Sequence, residues 1–262
     1  MNGAAELWKL AFGDSDEFIN NYLDFAAAGD CFYALQVNGK VVSFLNLIPL
    51  SYSLNGKSFK GLYLFGVATD PAFRGEGFSR KLLRDSLTGC EADFVVTVPA
   101  SESLFGFYGL QGFTTVVSRS YETIRSGDKY PDRKTMLHWL PADFSQLCSL
   151  YRATSGDRFQ WTDNYLRLIA DEYEWMLFRI DDTDYFCIFQ IADKQITIQD
   201  SNAPVEWLLL AFREKGYTDS EIRMATFGDD RSGEPFYAIS FLNDALKDIF
   251  TGRSVLNMAM DS

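Results

Sequence analysis

In "SDEFINNYLDFAAAG", Phe18, Tyr22 and Phe25 recur at three- and four-residue intervals, which predicts a helix from near Ser15 with one aromatic face turned to the core. The period then changes. "CFYALQV" and "VVSFLNLIPLSY" are β-rich runs on either side of Asn38-Gly39, the pattern of a tight hairpin. Asn55-Gly56 turns the chain again into "KGLYLFGVAT", a strand that Asp70-Pro71 stops. In "SRKLLRDSL", Leu82, Leu83 and Leu87 share one helical face. "DFVVTVPA" is apolar almost throughout, as a strand buried on both sides would be. "SESLFGFYGLQ" reads as a short helix and "FTTVVSRSYETI" as a closing strand. The order helix, hairpin, strand, helix, strand, helix, strand predicts a mixed α/β (α+β) domain over residues 1–125.

The polar segment "RSGDKYPDRK" carries Gly and Pro and reads as a linker, assigned to 126–134. Residues 135–262 repeat the same grammar without visible identity. Helices are expected at "PADFSQLCSLYRA", "TDNYLRLIADEYEWM" and "PVEWLLLAFREKG". Strands are expected at "MLFRI", "DYFCIFQIA" and "QITIQD", with "EIRMATF" and "FYAISFL" as further candidates.

Composition narrows the function classes. At 262 residues and 47% hydrophobic, the chain can bury a sizeable core in one large or two ordinary domains. No apolar run is long enough to span a bilayer, and "MNGAAELWKLAF" lacks the basic-then-apolar pattern of a secretory leader, so the expected location is cytoplasmic. Cys31, Cys90, Cys148 and Cys187 form no C-x-x-C pair and read as buried thiols rather than a zinc or redox centre; no metal is expected. His138 is the only histidine, which argues against Ser-His and Cys-His hydrolases, and it reads as a surface or hydrogen-bonded residue. A net charge of −12 opposes binding to nucleic acid or to an anionic membrane, and an acidic surface tolerates cationic small molecules.

The chemistry-bearing stretch is "DPAFRGEGFSRKLL", residues 70–83. Gly75 and Gly77 disfavour helix, yet they stand immediately before one. The first turn of a helix offers unpaired N–H groups and the positive end of the peptide dipole, and glycine keeps side chains out of the way of a bound diphosphate. Arg74 adds a charged donor and Ser79 a small hydroxyl. The pattern lacks the Gly-Lys-Ser/Thr ending of a Walker loop and the full G-x-G-x-x-G of a dinucleotide fold.

"VATDPAFRGEGFSRKLL" resembles the Arg/Gln-x-x-Gly-x-Gly/Ala acyl-CoA motif of the GNAT N-acetyltransferase superfamily, with Arg74, Gly77 and Ser79 at the marked positions and Ser79 a departure at the last. Val67 to Pro71 match its preceding strand and turn, and "VVTVPASESLFGFYGLQGF" matches its Tyr-x-x-x-Gly-Phe region through Tyr108, Gly112 and Phe113. The resemblance implies a GNAT-like N-terminal half with a splayed central sheet, binding acetyl-CoA as co-substrate. The main chain of Val67, Ala68 and Thr69 would hold the pantetheine arm. Arg74, Gly75, Glu76, Gly77, Phe78 and Ser79 would hold the pyrophosphate. Tyr108 would be the general acid for the departing thiol.

Many relatives place a Glu base on the splayed strand, but "KGLYLFGVAT" has none. Glu102 and Asp70 read as a helix-start charge and a turn residue. The opening "ELWKLAFGDSDEF" and the second α/β half resemble the Eis-like branch, in which a C-terminal carboxylate is implicated as base. That role would fall to Ser262 here, although the chain has no room for the branch's third domain. The second half's nearest glycine turn, "GDDRSGEPF", carries three carboxylates and Pro235, so residues 135–262 read as a degenerate GNAT-like half that binds no CoA and walls the acceptor pocket. The leading expectation is N-acetyl transfer to a primary amine of a small or peptide-like molecule. A catalytically silent acyl-CoA-binding module and a structural protein with an empty glycine turn are the competing classes. A tRNA-dependent aminoacyl transferase is opposed by the charge.

Overall fold

A computed structural model describes residues 2–124, 136–170, 172–218, 220–228, 233–252 and 256. Two helices lead, α1 (Asn2–Phe12) and α2 (Asp16–Ala28). Next come β1 (Phe32–Val37), β2 (Lys40–Leu54), β3 (Lys57–Thr69), α3 (Phe78–Leu87), β4 (Phe94–Thr97), α4 (Glu102–Gly109) and β5 (Thr115–Ile124). The second half contributes β6 (Leu137–Trp139), α5 (Phe144–Ala153), β7 (Arg158–Trp161), α6 (Asp163–Ile169), β8 (Glu174–Ile180), β9 (Thr183–Ala192) and β10 (Gln195–Ser201). It ends with α7 (Val205–Glu214), β11 (Glu221–Gly228), β12 (Glu234–Phe241) and α8 (Asp244–Ile249).

Local chemistry accounts for the boundaries. The Ser15 hydroxyl accepts from the Phe18 N–H and starts α2. Asn38-Gly39 and Asn55-Gly56 all take positive φ, so both hairpins close through two-residue turns whose twist suits the flanking strands. β4 is buried at all four positions, as its uninterrupted apolar run requires.

The strands join one sheet in the order β1-β2-β3-β4-β12-β5-β11-β10-β9-β8-β6, with β7 pairing β2 off this path. β3 runs parallel to β4 and β10 parallel to β11; the other pairs are antiparallel. The two halves therefore share strands. β12 lies between β4 and β5, with Ala238 opposite Thr97 on one side and Val116 on the other. β5, expected to close a sheet, is interior.

One sheet face is covered by α1, α2, α5, α6 and α8 over a core that runs through both halves. α3 and α4 cover the opposite face of the first half, and α7 that of the second. Across the halves, Trp161 packs on Tyr63 at 5.3 Å between ring centres, and the Arg158 guanidinium on β7 donates to Asp200 on β10 at 2.5 Å. Burial pushes the Asp200 carboxyl up to about 6, against the pull of Arg158.

Several expectations change. The helix expected over "TDNYLRLIADEYEWM" ends at Ile169, and β8 begins at Glu174. α1, β6, β7 and α8 were not anticipated. Cys31, Cys148 and Cys187 are buried as expected, but Cys90 is half-buried. His138 is exposed on β6. The 126–134 segment lies outside the described residues. No helix among the described residues is long and apolar enough to cross a membrane.

Gly61 is where β3 meets β4 most tightly. A Cβ there would stand 2.0 Å from Cζ of Phe94, whose ring is itself buried. Gly61→Ala is expected to lower the unfolding free energy by about 1–3 kcal/mol through overpacking, read in denaturant titrations. An unchanged midpoint would show that Phe94 has room to move.

Candidate functional site

The site begins where a strand pair ends. β3 pairs with β4 only from Gly61 opposite Phe94 to Leu64 opposite Thr97, but β3 runs on to Thr69. The main chain from Phe65 onward has lost its neighbour on that side. β3 also carries one extra residue against β2, since Phe44 faces Ala68 and Asn46 faces Phe65. Gly66 sits in this bulge at φ +56°, and a Cβ on it would come within 3.1 Å of Asn46 Nδ2 and 3.2 Å of Trp8 Cη2. Only glycine fits both the conformation and the space, and the bulge bends β3 away from β4. Beyond it the Asp70 N–H returns to the Val42 carbonyl, so strand alternation turns the main-chain groups of Val67 and Thr69 away from β2, toward the gap.

A cavity of about 260 Å³ lies in the gap, lined by residues from both faces of the sheet. Leu64, Leu104 and Tyr108 line it on the α3/α4 side; Phe12, Tyr63 and Phe65 line it on the α1 side. Gly66, Val67, Thr97, Val98, Ala11 and Ala100 complete the wall. Tyr108 is 7% exposed and packs edge-on against Phe113 at 5.6 Å. Burial pushes its phenol up to about 12, with hydrogen bonding to the Thr97 side chain offsetting part of the rise. The group is a proton donor throughout the physiological range. Among the described residues, no carboxylate lines the cavity.

The glycine turn lies at the end of the same strand. Asp70 anchors it: Oδ2 accepts from Lys40 Nζ at 2.6 Å and Oδ1 from the Ala72 N–H at 2.9 Å. The bond from Lys40 is the larger cause holding this carboxyl below its ordinary range, and the Ala72 amide adds to it. A single 3-10 turn, Pro71–Phe73, follows, and Arg74 Nε donates back to the Thr69 carbonyl at 3.3 Å. Gly75 and Gly77 stand at φ +86° and +76°, Gly77 capping α3 with no side chain over its end. A Cβ at either glycine would meet nothing within 4 Å. Within the protein, then, these glycines serve backbone conformation, and the space over the α3 amides stays open. Arg74, Gly75, Glu76 and Gly77 are exposed, while Phe78 and Ser79 are half-buried.

The structure thus places Val67 and Tyr108 in the cavity wall, with Ala68 buried against β2 and Thr69 leading into the turn; the open end of α3 follows in the chain and contributes no residue to that wall. Glu102 is an exposed first-turn residue of α4, and Asp70 is a turn anchor, as their sequence settings indicate. Ser262 lies outside the described residues, as do residues 229–232 of the second half's glycine turn, where Glu234 and Pro235 open β12. The sequence reading missed Gly66 and the α1 wall. A lone glycine inside the strand pattern "LFGVAT" was the available signal for the bulge.

Residues 1–116 match the family model described as an acetyltransferase (GNAT) domain. No curated protein matches the chain by sequence. Among solved structures, a conserved protein of unknown function from Enterococcus faecalis V583, described as a probable N-acyltransferase, superposes with a TM-score of 0.71 at 14% identity, over 92% of this chain and 70% of that one. A GCN5-related N-acetyltransferase from Kribbella flavida gives 0.68 at 14% identity over 93% and 70%. Eis1 from Mycobacterium abscessus gives 0.53 at 10% identity over 85% and 65%. At such identities the likeness is one of fold, and it extends across both halves.

Proposed function

Because residues 1–116 match the model of a GNAT acetyltransferase domain, we propose that the protein moves an acetyl group from acetyl-CoA to a primary amine of a small or peptide-like acceptor. The observation that supports this best is the cavity in the gap of the sheet, lined by Leu104 and Tyr108 of α4 on one side and by Ala11 and Phe12 of α1 on the other. A thioester entering from the α3 side and an amine entering from the α1 side would meet inside it.

The acyl-CoA supplies an electrophilic carbonyl and a thiol leaving group. The chain's residues supply the rest. Amides from Gly75 to Ser79, helped by Arg74, hold the pyrophosphate at the positive end of α3. Val67 and Thr69 hold the pantetheine arm through their main chain, and a main-chain N–H of the bulged strand polarises the carbonyl. As the amine nitrogen bonds to that carbon and the carbon–sulfur bond breaks, the Tyr108 phenol passes its proton to the sulfur. The proton lost by the amine leaves through water to a base. Ser262 is the residue implied for that role. In this reading the second half closes the acceptor side and binds no CoA.

The absence of a carboxylate from the described cavity wall favours a second reading, a catalytically silent acyl-CoA-binding protein. Calorimetry with CoA combined with thiol release over a panel of amines tests both. CoA binding with turnover of at least one amine is the expected result. Binding without thiol release supports the silent protein, and no CoA binding overturns both.

A further inference from the structure

The face of the sheet reached from the α1 side of the cavity continues past Tyr237, Phe227 and Phe236, whose rings lie about 6 Å apart, and all three belong to the core that includes Tyr63 and Phe65. Beyond them the face changes character. On β5, alternation puts Arg119 and Tyr121 on the same side as buried Val117, and on β11 Arg223 joins them. The Arg119 guanidinium lies 3.7 Å from the centre of the Phe236 ring and 5.3 Å from that of Tyr121. The Arg223 guanidinium lies 4.1 Å from the same Tyr121 ring, with its Nε donating to Thr197 Oγ1 at 2.9 Å.

Two cations at 5.3 and 4.1 Å from the centre of one ring are no more than about 9.4 Å apart and repel. The chain has 36 carboxylates to 24 lysines and arginines, yet among the described residues neither Arg119 nor Arg223 forms an ion pair. Among the described residues, the carboxylates nearest by register are Glu234, opposite Arg119, and Glu221, which accepts instead from Thr123 and Gln195. The aromatic faces hold both guanidinium groups in place, and among the described residues no carboxylate takes their remaining donors.

From these positions we infer that the acceptor is an anionic, peptide-like amine whose acid group is held by Arg119 and Arg223. Strand spacing sets its length. Arg119 is three residues past the Thr97 row along β5 and two strands across, and Tyr121 is two residues further, which puts the cationic pair roughly 10–20 Å from the cavity. That is the span of about three to five extended residues. A carboxylate there gains charge-assisted hydrogen bonds from a fixed pair, whereas a cation meets like charge. The inference rests on the acyl-transfer reading above, since it takes the amine to lie in the cavity, and it reverses the preference for cationic acceptors that net charge alone suggests.

The test uses protein saturated with CoA and the amidated peptides AGGGEG, AGGGQG and AGGGKG, followed by calorimetry. A CoA titration on the same sample, run first, reports on the acyl-transfer reading alone. The expected result is that the Glu peptide binds about tenfold tighter than the Gln peptide and the Lys peptide weakest. The Glu preference should collapse toward unity in Arg119→Gln/Arg223→Gln. It should also shrink in wild-type protein as salt is raised, a check that does not depend on the variant folding. Equal binding of the Glu and Gln peptides, no peptide binding alongside normal CoA binding, or a preference that survives in the folded double variant would each overturn the inference.

Discussion

Tyr108→Phe is expected to lower kcat by about a hundredfold or more while leaving CoA affinity within twofold, the signature of a proton donor acting on the leaving group. The substitution keeps the ring that packs on Phe113 and Phe107 and removes only the hydroxyl at the cavity wall. Steady-state kinetics with calorimetry separate the two effects. The pH dependence follows from the burial that lifts this phenol to about 12. The donor form is the protonated one, so it persists at every pH below that value and is lost only as pH rises through it. Wild-type kcat should therefore keep rising as the acceptor amine loses its proton, with no fall attributable to Tyr108 below about pH 11. An unchanged kcat in Tyr108→Phe would remove the residue from the chemistry.

The second large effect is expected at the glycine turn. Gly77→Val should weaken CoA binding about a hundredfold. Two causes add: a β-branched side chain at φ +76° costs about 1–2 kcal/mol in backbone strain, and its methyls project into the open space above the α3 amides. Because no described residue comes within 4 Å of a Cβ there, the stability loss should not exceed the backbone strain, and a thermal melt beside the CoA titration shows whether the fold survives. Intact affinity in a folded variant would mean that the nucleotide's phosphates are held elsewhere.

Much of the first half could be read from its own residues because the determinants are local. Two Asn-Gly pairs, the Ser15 cap and the leucine spacing of α3 each act within a few positions, and the chain folds accordingly at all of them. The glycine turn could be read for the same reason. Long-range pairing could not. Nothing in "FYAISFL" says that it will slide between β4 and β5, since any apolar strand of that length satisfies both neighbours. β6 and β7, at three and four residues, are too short to show a period. α1 does show one, with Ala4, Leu7, Trp8 and Ala11 on one face, but the stretch was weighed as a leader and as part of a family resemblance, not for its helical period. The cavity wall draws on α1, β3, β4 with the loop after it, and α4, so its shape exists only after the sheet has assembled.

The position of β12 has a consequence for biosynthesis. When residue 125 leaves the ribosome, every residue lining the cavity and the glycine turn has been made, but the strand that belongs between β4 and β5 has not. At roughly 5–20 residues per second, about 6 to 23 seconds pass before residue 241 follows. For that interval two hydrogen-bonding edges stand bare in the nascent polypeptide, and they invite any passing extended segment to pair. Translation must run nearly to the end of this sequence before its opening 120 residues can settle.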